Sequence, residues 1–198
     1  MKRALAVALL AVAGLAGCAR GDAGPDSCAC AAEPVVDTAL LAFLSKARAA
    51  HHQADLAQED GNLDLAVTAL DPVVRGPRPR ITGGTAGGEL GPEVAEVLAD
   101  TLARLADLRS DLGDFALAQR DATDGLSLAT RPTHFRGHLF EIQGVVFERQ
   151  ARALDAQGDV KGAARAKAAA LDAFDAAIKI QDQVINEALS GDAGRPGR

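Results

Sequence analysis

Residues 111–121 read DLGDFALAQRD, and the central GDFALA of this stretch has two near copies in the chain, GNLDLA at 61–66 and GDVKGA at 158–163. Each copy has Gly, then Asp or Asn, then an apolar residue, with Ala five positions after the Gly. Glycine readily adopts the left-handed conformation that ends a helix, and a following Asp or Asn can accept hydrogen bonds from the next helix's free amides. The three copies therefore predict three tight turns between helices.

Apolar residues recur every three or four positions from residue 35 onward, which is typical of amphipathic helices. The predicted helices cover residues 35–60, 63–75, 93–112, 115–130, 133–157 and 160–189. The 198-residue chain has no Trp or Tyr and only six Phe, and this composition suits closely packed helices better than strands. We expect an all-α fold with one helical domain at residues 35–190.

The three copies also align beyond their turns. Ala66, Ala118 and Ala163 share one place on the second helix of each pair, where a small side chain lets two helices approach closely. In this pattern the chain resembles the tetratricopeptide repeat family, most clearly at residues 100–132. The residues that carry the resemblance are Leu102, Leu105, Ala106, Gly113, Asp114, Phe115, Ala118, Gly125 and Pro132 in that unit, Ala54, Gly61, Asn62, Leu63 and Ala66 in the first, and Phe147, Ala151, Gly158, Asp159, Val160, Ala163 and Ala170 in the third. The resemblance implies about three stacked antiparallel helix pairs.

The spacing of the units departs from the family pattern. The turn glycines are 52 and 45 residues apart, against 34 residues in the family. The first surplus falls in a Gly-rich and Pro-rich segment, residues 76–92, which we expect to be a flexible loop. The second surplus predicts a long terminal hairpin, in which Leu171, Phe174, Ile178, Ile185 and Leu189 would cover Phe135, Leu139, Ile142 and Val146. A helical bundle without repeats is the alternative architecture.

The N-terminus carries a second resemblance. Lys2 and Arg3 precede an apolar run at residues 4–13, which is too short to span a bilayer, and the run is followed by Leu-Ala-Gly-Cys at residues 15–18. This stretch resembles a bacterial lipoprotein signal peptide with its lipobox. The resemblance implies cleavage between Gly17 and Cys18 and attachment of fatty acids such as palmitate to Cys18. An ordinary secretory signal peptide, cut near the same place, is the alternative.

Residue 19 is Ala rather than the Asp that usually marks retention in the inner membrane. The lipoprotein resemblance therefore implies the periplasmic face of the outer membrane in a cell with two membranes, and the plasma membrane in a cell with one. Residues 18–34 and 191–198 are expected to be a disordered tether and a disordered tail. Cys28 and Cys30, inside the tether, are interpreted as structural or adventitious.

The charge of the chain excludes some partners. Without residues 1–17 the chain carries 19 basic and 27 acidic side chains, a net charge of −8. A nucleic-acid-binding surface should be basic, so we expect no nucleic-acid partner. Attraction to anionic headgroups is disfavoured for the same reason, and the predicted acyl chains would have to provide the membrane attachment.

Candidate chemical sites are few. His134, His138 and Glu141 lie one helical turn apart and would offer three ligands to a zinc-like ion, but no fourth ligand or general base accompanies them in sequence. The chain has no GxSxG motif, and its Gly-rich loop lacks the GK[ST] ending of a phosphate-binding loop. We predict a protein that is not an enzyme and that binds no metal and no cofactor. A metal-binding envelope protein using this His pair is an alternative function.

The remaining candidate site is a surface. In the tetratricopeptide family, the first helix of each pair lines a concave groove that binds partners. Transferring those positions gives Arg48, His51, Asp55, Gln58 and Glu59, then Asp100, Ala103, Asp107, Ser110 and Asp111, then Val145, Glu148, Arg152, Asp155 and Ala156. Acidic residues outnumber basic ones in this set, so we expect the groove to receive a basic or mixed-charge peptide or a helix of a partner protein, and the chain to act as a scaffold for other envelope proteins. The alternatives are a solvated charged face without a partner, or a small-ligand carrier with a deep apolar pocket between the terminal hairpin and the middle pair.

Overall fold

The computed structural model describes residues 37–79 and 90–192, and within them all regular secondary structure is helical. The helices are α1 (Thr38–Glu59), α2 (Leu63–Arg75), α3 (Pro92–Asp111), α4 (Phe115–Leu128), α5 (His134–Ala156) and α6 (Val160–Asp192). They confirm the all-α prediction, and each predicted helix ends within three residues of the observed one. The predicted signal peptide, the whole predicted tether, most of the predicted tail and the middle of the predicted loop lie outside the described residues.

The three Gly turns separate the helices as predicted. Gly61, Gly113 and Gly158 have φ angles of 74°, 84° and 81°, all in the left-handed region that favours glycine. After two of them the polar side chain caps the next helix: Asn62 Oδ1 accepts from the Leu65 amide at 3.1 Å, and Asp159 Oδ1 accepts from the Gly162 amide at 2.9 Å. Asp114 forms no such side-chain bond, so the middle turn differs from the prediction.

The middle turn supplies a stability test. Gly113→Ala is expected to lower the free energy of unfolding by about 1–2 kcal/mol, because a side chain makes the left-handed conformation costly. Crowding does not contribute, since no heavy atom lies within 4 Å of a Cβ built at Gly113. Urea denaturation measures the loss, and Gly113→Asn should retain more of the stability because Asn tolerates this conformation better. Equal stability of the Ala variant and the wild type would contradict a backbone role for this glycine.

The helices pack as three hairpins in chain order. The helix α1 packs on α2, α3 on α4, and α5 on α6. The helix α3 also contacts both α1 and α2, and α5 contacts both α3 and α4. Among the described residues the first hairpin makes no contact with the third. The odd-numbered helices α1, α3 and α5 are therefore neighbours along one side of the molecule.

Small residues allow the close approach between hairpins. Ala66 and Ala118, two of the aligned alanines, are fully buried, whereas Ala163 at the same place in the terminal hairpin is only half-buried. Nothing in the described chain packs on the far side of that hairpin, which explains the difference. Gly125 shows how close α4 and α5 lie, since a Cβ built there would be 2.5 Å from Cδ2 of Leu139.

The terminal hairpin forms as predicted, but α6 turns a different face toward α5. Leu171, Ile178, Ile185 and Leu189, which were expected to cover α5, are between 54% and 67% exposed. The residues of α6 that are buried are Ala166, Ala170, Ala173 and Ala177. Phe174, also among the residues expected to cover α5, does pack on it, because α5 has a glycine at that place: a Cβ built at Gly144 would lie 2.6 Å from the Phe174 ring. Larger residues along the whole contact would hold the two helices apart.

Candidate interaction surface

The predicted groove residues lie on the side of the molecule formed by α1, α3 and α5, which we call the α1–α3–α5 surface. Arg48, Asp55, Asp111, Arg152 and Asp155 are exposed there, and His51, Asp100, Asp107 and Glu148 are half-buried. Ala103 and Ser110, which the transferred pattern also placed in the groove, are instead buried at 0% and 3% exposure. Both residues belong to the packing beneath the surface.

Polar contacts join α1 to α3 across this surface. The Arg104 guanidinium donates to Asp55 Oδ1 at 2.9 Å and also to the Gln58 side chain. Nε2 of His51 lies 3.0 Å from Oγ1 of Thr101. The Thr101 hydroxyl donates its single hydrogen to the Val97 carbonyl, so its oxygen accepts from His51 and Nε2 carries the proton.

A second set of contacts joins α3 to α5 through Arg149. Its guanidinium donates to Asp107 Oδ1 at 2.7 Å and to the Asp107 carbonyl at 3.2 Å. It also lies 3.0 Å from Asp111 Oδ1 and donates to the Ser110 hydroxyl. These groups occupy the last turn of α3, where a cation also interacts favourably with the helix dipole. Arg149 therefore fixes the third hairpin against the second.

The transferred pattern missed Arg104 and Arg149, although each is close in sequence to groove positions. With both included, the α1–α3–α5 surface carries seven carboxylates and four guanidinium groups, so it remains acidic but less so than the sequence indicated. Asp55, Asp107, Asp111 and Glu148 form ion pairs with arginines. Among the described residues, the acids of this surface that form no ion pair are Glu59, Asp100 and Asp155. These three hold the negative charge that remains available to a partner.

The candidate metal residues are close together but do not converge. The His134 and His138 rings are stacked with centroids 6.1 Å apart, and His138 Nδ1 lies 3.4 Å from Glu141 Oε2. His134 Nδ1 lies 3.4 Å from the Gln181 amide nitrogen. Within residues 37–79 and 90–192, no group of three or more His, Cys, Asp or Glu side chains is arranged to hold a metal ion.

A cleft of about 710 Å³ lies between α2 and α4, and arginines line it. Its lining includes Arg109, whose guanidinium pairs with Asp121 and lies 3.9 Å from Asp71. Burial raises the pKa of the Asp121 carboxyl above its usual value, and Arg109 offsets only part of that rise. The small-ligand alternative required an apolar pocket between the second and third hairpins, whereas this cleft has a mixed polar and apolar lining and lies between the first and second.

The described chain is thus an all-α protein of three consecutive helical hairpins with an acidic surface along its odd-numbered helices. None of its described helices has the length and apolar composition needed to cross a membrane. Compared with protein-family models, with curated proteins and with solved structures, the chain gives no match. Function is therefore inferred from residues and geometry.

Proposed function

We propose that this protein is a lipid-anchored scaffold of the bacterial cell envelope, and that its tetratricopeptide-like hairpins bind a basic segment of a partner protein on the α1–α3–α5 surface. The observation that carries the proposal is the order of contacts among the hairpins. Among the described residues each hairpin packs only on its neighbours along the chain, and the first helices of successive pairs contact each other. This is how a repeat array generates an extended binding surface.

Two further features support the repeat interpretation. A left-handed glycine stands at the corresponding turn of every hairpin. The Ala five positions later is fully buried in the two hairpins that have a following neighbour, at Ala66 and Ala118. Because each repeat of such an array buries its apolar face against the next, this burial pattern favours repeats over a bundle with coincidental turns.

The arrangement of charges favours a partner with basic groups. Arg104 and Arg149 are engaged in holding the hairpins together, so they contribute little positive potential to an approaching molecule. Glu59, Asp100 and Asp155 keep their negative charge free along the surface. Complementary charges of this kind mainly accelerate association, and salt weakens the attraction between them.

Attachment to the membrane rests on the lipobox at residues 15–18, with Cys18 as the lipidated residue. Two or more acyl chains give stable anchoring where one chain alone would be marginal. In a cell with two membranes, Ala19 favours the outer membrane and its periplasmic face. The partner would then be another envelope protein.

Removing the available charges tests the binding surface. The triple variant Glu59→Gln, Asp100→Asn, Asp155→Asn leaves the Arg104 and Arg149 ion pairs intact. Affinity capture from detergent extracts of the protein's own membranes, with partners quantified by mass spectrometry, should recover roughly tenfold less partner at low salt, the lower end of the effect of electrostatic steering. The difference should shrink as salt is added.

The chain offers a matched control for this experiment. Asp64→Asn, Asp124→Asn, Asp172→Asn removes the same number of charges from exposed positions on α2, α4 and α6. Recovery with the control should match the wild type. Equal recovery with both triple variants would show that the α1–α3–α5 surface does not bind the captured proteins.

A further inference from the structure

The helix α6 carries a row of mostly apolar side chains that its own hairpin leaves largely exposed. We call this row the α6 stripe; its members are Val160, Ala164, Lys167, Leu171, Phe174, Ile178, Asp182, Ile185 and Leu189. Successive members are four or three residues apart, the spacing that keeps side chains on one face of a helix. Five of them are large aliphatic residues that are 54–68% exposed. The stripe is therefore an exposed seam of mainly aliphatic side chains, in which Phe174 is half-buried and Lys167 and Asp182 are charged.

The described part of the chain leaves this seam free for geometric reasons. Within the described residues α6 contacts only α5, where Ala166, Ala170, Ala173 and Ala177 are buried and the Phe174 ring lies against Gly144. Leu171 and Ile178 each follow one of these alanines by a single position, which is about 100° around a helix. The other exposed leucines are scattered over α1, α2, α4 and the turn after α3. Aligned apolar residues of this kind mark interaction sites more often than scattered ones do.

We propose that the α6 stripe is a homodimer interface, in which α6 of one copy packs antiparallel on α6 of a second copy. The distribution of charge along α6 selects this partner and this direction. Residues 160–170 contain three basic side chains and no acid, while residues 171–192 contain five acids and one Lys. Antiparallel pairing places the basic end of each helix beside the acidic end of the other. Parallel pairing would place like charges together along the whole helix.

The stripe also determines a register. Val160 at one end of the stripe meets Leu189 at the other end of the second copy's stripe when the two-fold axis passes between residues 174 and 175. Leu171 of one copy then faces Ile178 of the other, and Lys167 of one copy faces Asp182 of the other. Because the interface is isologous, each contact occurs twice. The paired segment is about 44 Å long at 1.5 Å per residue.

A groove beside the proposed axis provides room for side chains of the second copy. It has a volume of about 540 Å³ and lies between α5 and α6, with Gly137, Phe174 and Ile178 in its lining. Gly144 lets the Phe174 ring lie against the backbone of α5. A membrane surface fits the stripe less well, because Asp182 lies within it and helices that bind anionic lipid carry Lys or Arg on the polar face.

The oligomeric state of the full-length chain in detergent tests the proposal. Light scattering coupled to size-exclusion chromatography is expected to give the mass of a dimer for the wild type and of a monomer for Leu171→Glu. Leu56→Glu is the matched control, since Leu56 and Leu171 are both 63% exposed. The control should remain a dimer. A monomeric wild type overturns the proposal, as does a dimeric Leu171→Glu variant; a monomer that binds phosphatidylglycerol vesicles would assign the stripe to the membrane instead.

Exchanging the charges of Lys167 and Asp182 tests the direction and the register in which the two α6 helices pair. Lys167→Glu and Asp182→Lys should each raise the dissociation constant of the dimer by about tenfold, because two symmetric contacts become repulsive. The double variant should restore wild-type affinity. Within one chain these residues are 15 positions apart, about 22 Å along the helix, so the rescue arises only between copies. A double variant no tighter than the single ones overturns the antiparallel register.

Discussion

Cys18→Ser is expected to abolish the attachment of fatty acid to this protein. Cells fed alkyne-tagged palmitate should label the wild type and leave the variant unlabelled, because a serine hydroxyl does not replace the lipobox thiol. The wild type should enter the detergent phase of a temperature-induced phase separation. In a second form of the variant, an ordinary cleavable secretory signal peptide replaces the lipoprotein signal peptide. This protein should stay in the aqueous phase, because it lacks the membrane affinity of two acyl chains, about 0.8 kcal/mol for each buried methylene.

The other two cysteines provide the control for this experiment. The double variant Cys28→Ser, Cys30→Ser keeps Cys18 and should take up label at the wild-type level. Labelling that survives Cys18→Ser, or that depends on Cys28 and Cys30, would refute the lipoprotein assignment. The scaffold and dimer proposals concern residues 37–192 and would not be decided by that result.

Asp121→Ala is expected to destabilise the helical domain by about 3–5 kcal/mol, the cost of leaving one member of a buried ion pair without its partner. Arg109 and Asp121 are only 9% and 6% exposed, so the guanidinium would lose its closest counter-charge at a position that is largely shielded from water. Asp71, at 3.9 Å from Arg109, is too distant to form a close hydrogen bond in its place. Thermal or urea denaturation of the variant measures the loss.

Two control variants show whether the loss of stability in Asp121→Ala comes from the buried ion pair. Asp124→Ala removes an exposed carboxylate three residues further along α4 and should change stability by less than about 0.5 kcal/mol. The double variant Arg109→Met, Asp121→Leu replaces the pair by apolar side chains and should recover most of the lost stability. If Asp121→Ala is as mild as Asp124→Ala, the pair does not tie α3 to α4.

The helices were predictable because their determinants are local. The left-handed glycines at 61, 113 and 158 need no distant residue to act as turns, and the apolar spacing of three and four residues follows from helix geometry alone. The sequence also predicted that Asn62 and Asp159 cap the helices that follow them. Asp114 shows the limit, since the same residue type at the same place forms no side-chain cap.

The electrostatics of the surface were only partly predictable. The transferred groove positions identified most of the acids, but ion pairing depends on which helices lie side by side. Arg104 reaches Asp55 across 49 positions of sequence, and Arg149 reaches Asp107 across 42. Because such partners are brought together by packing, a list of groove positions overestimates the charge that a partner would meet.

The sequence by itself determined that this chain is helical, where its helices begin and end, and how the turns between them close, because these properties depend on neighbouring residues. Only the tertiary structure decided which face of each helix is buried. On α6 an alanine face and an aliphatic face lie about 100° apart, and hydrophobicity alone favours the larger side chains. The alanines are buried instead, and their small side chains let α6 approach α5 so closely that Phe174 and Gln181 lie against the glycines Gly144 and Gly137.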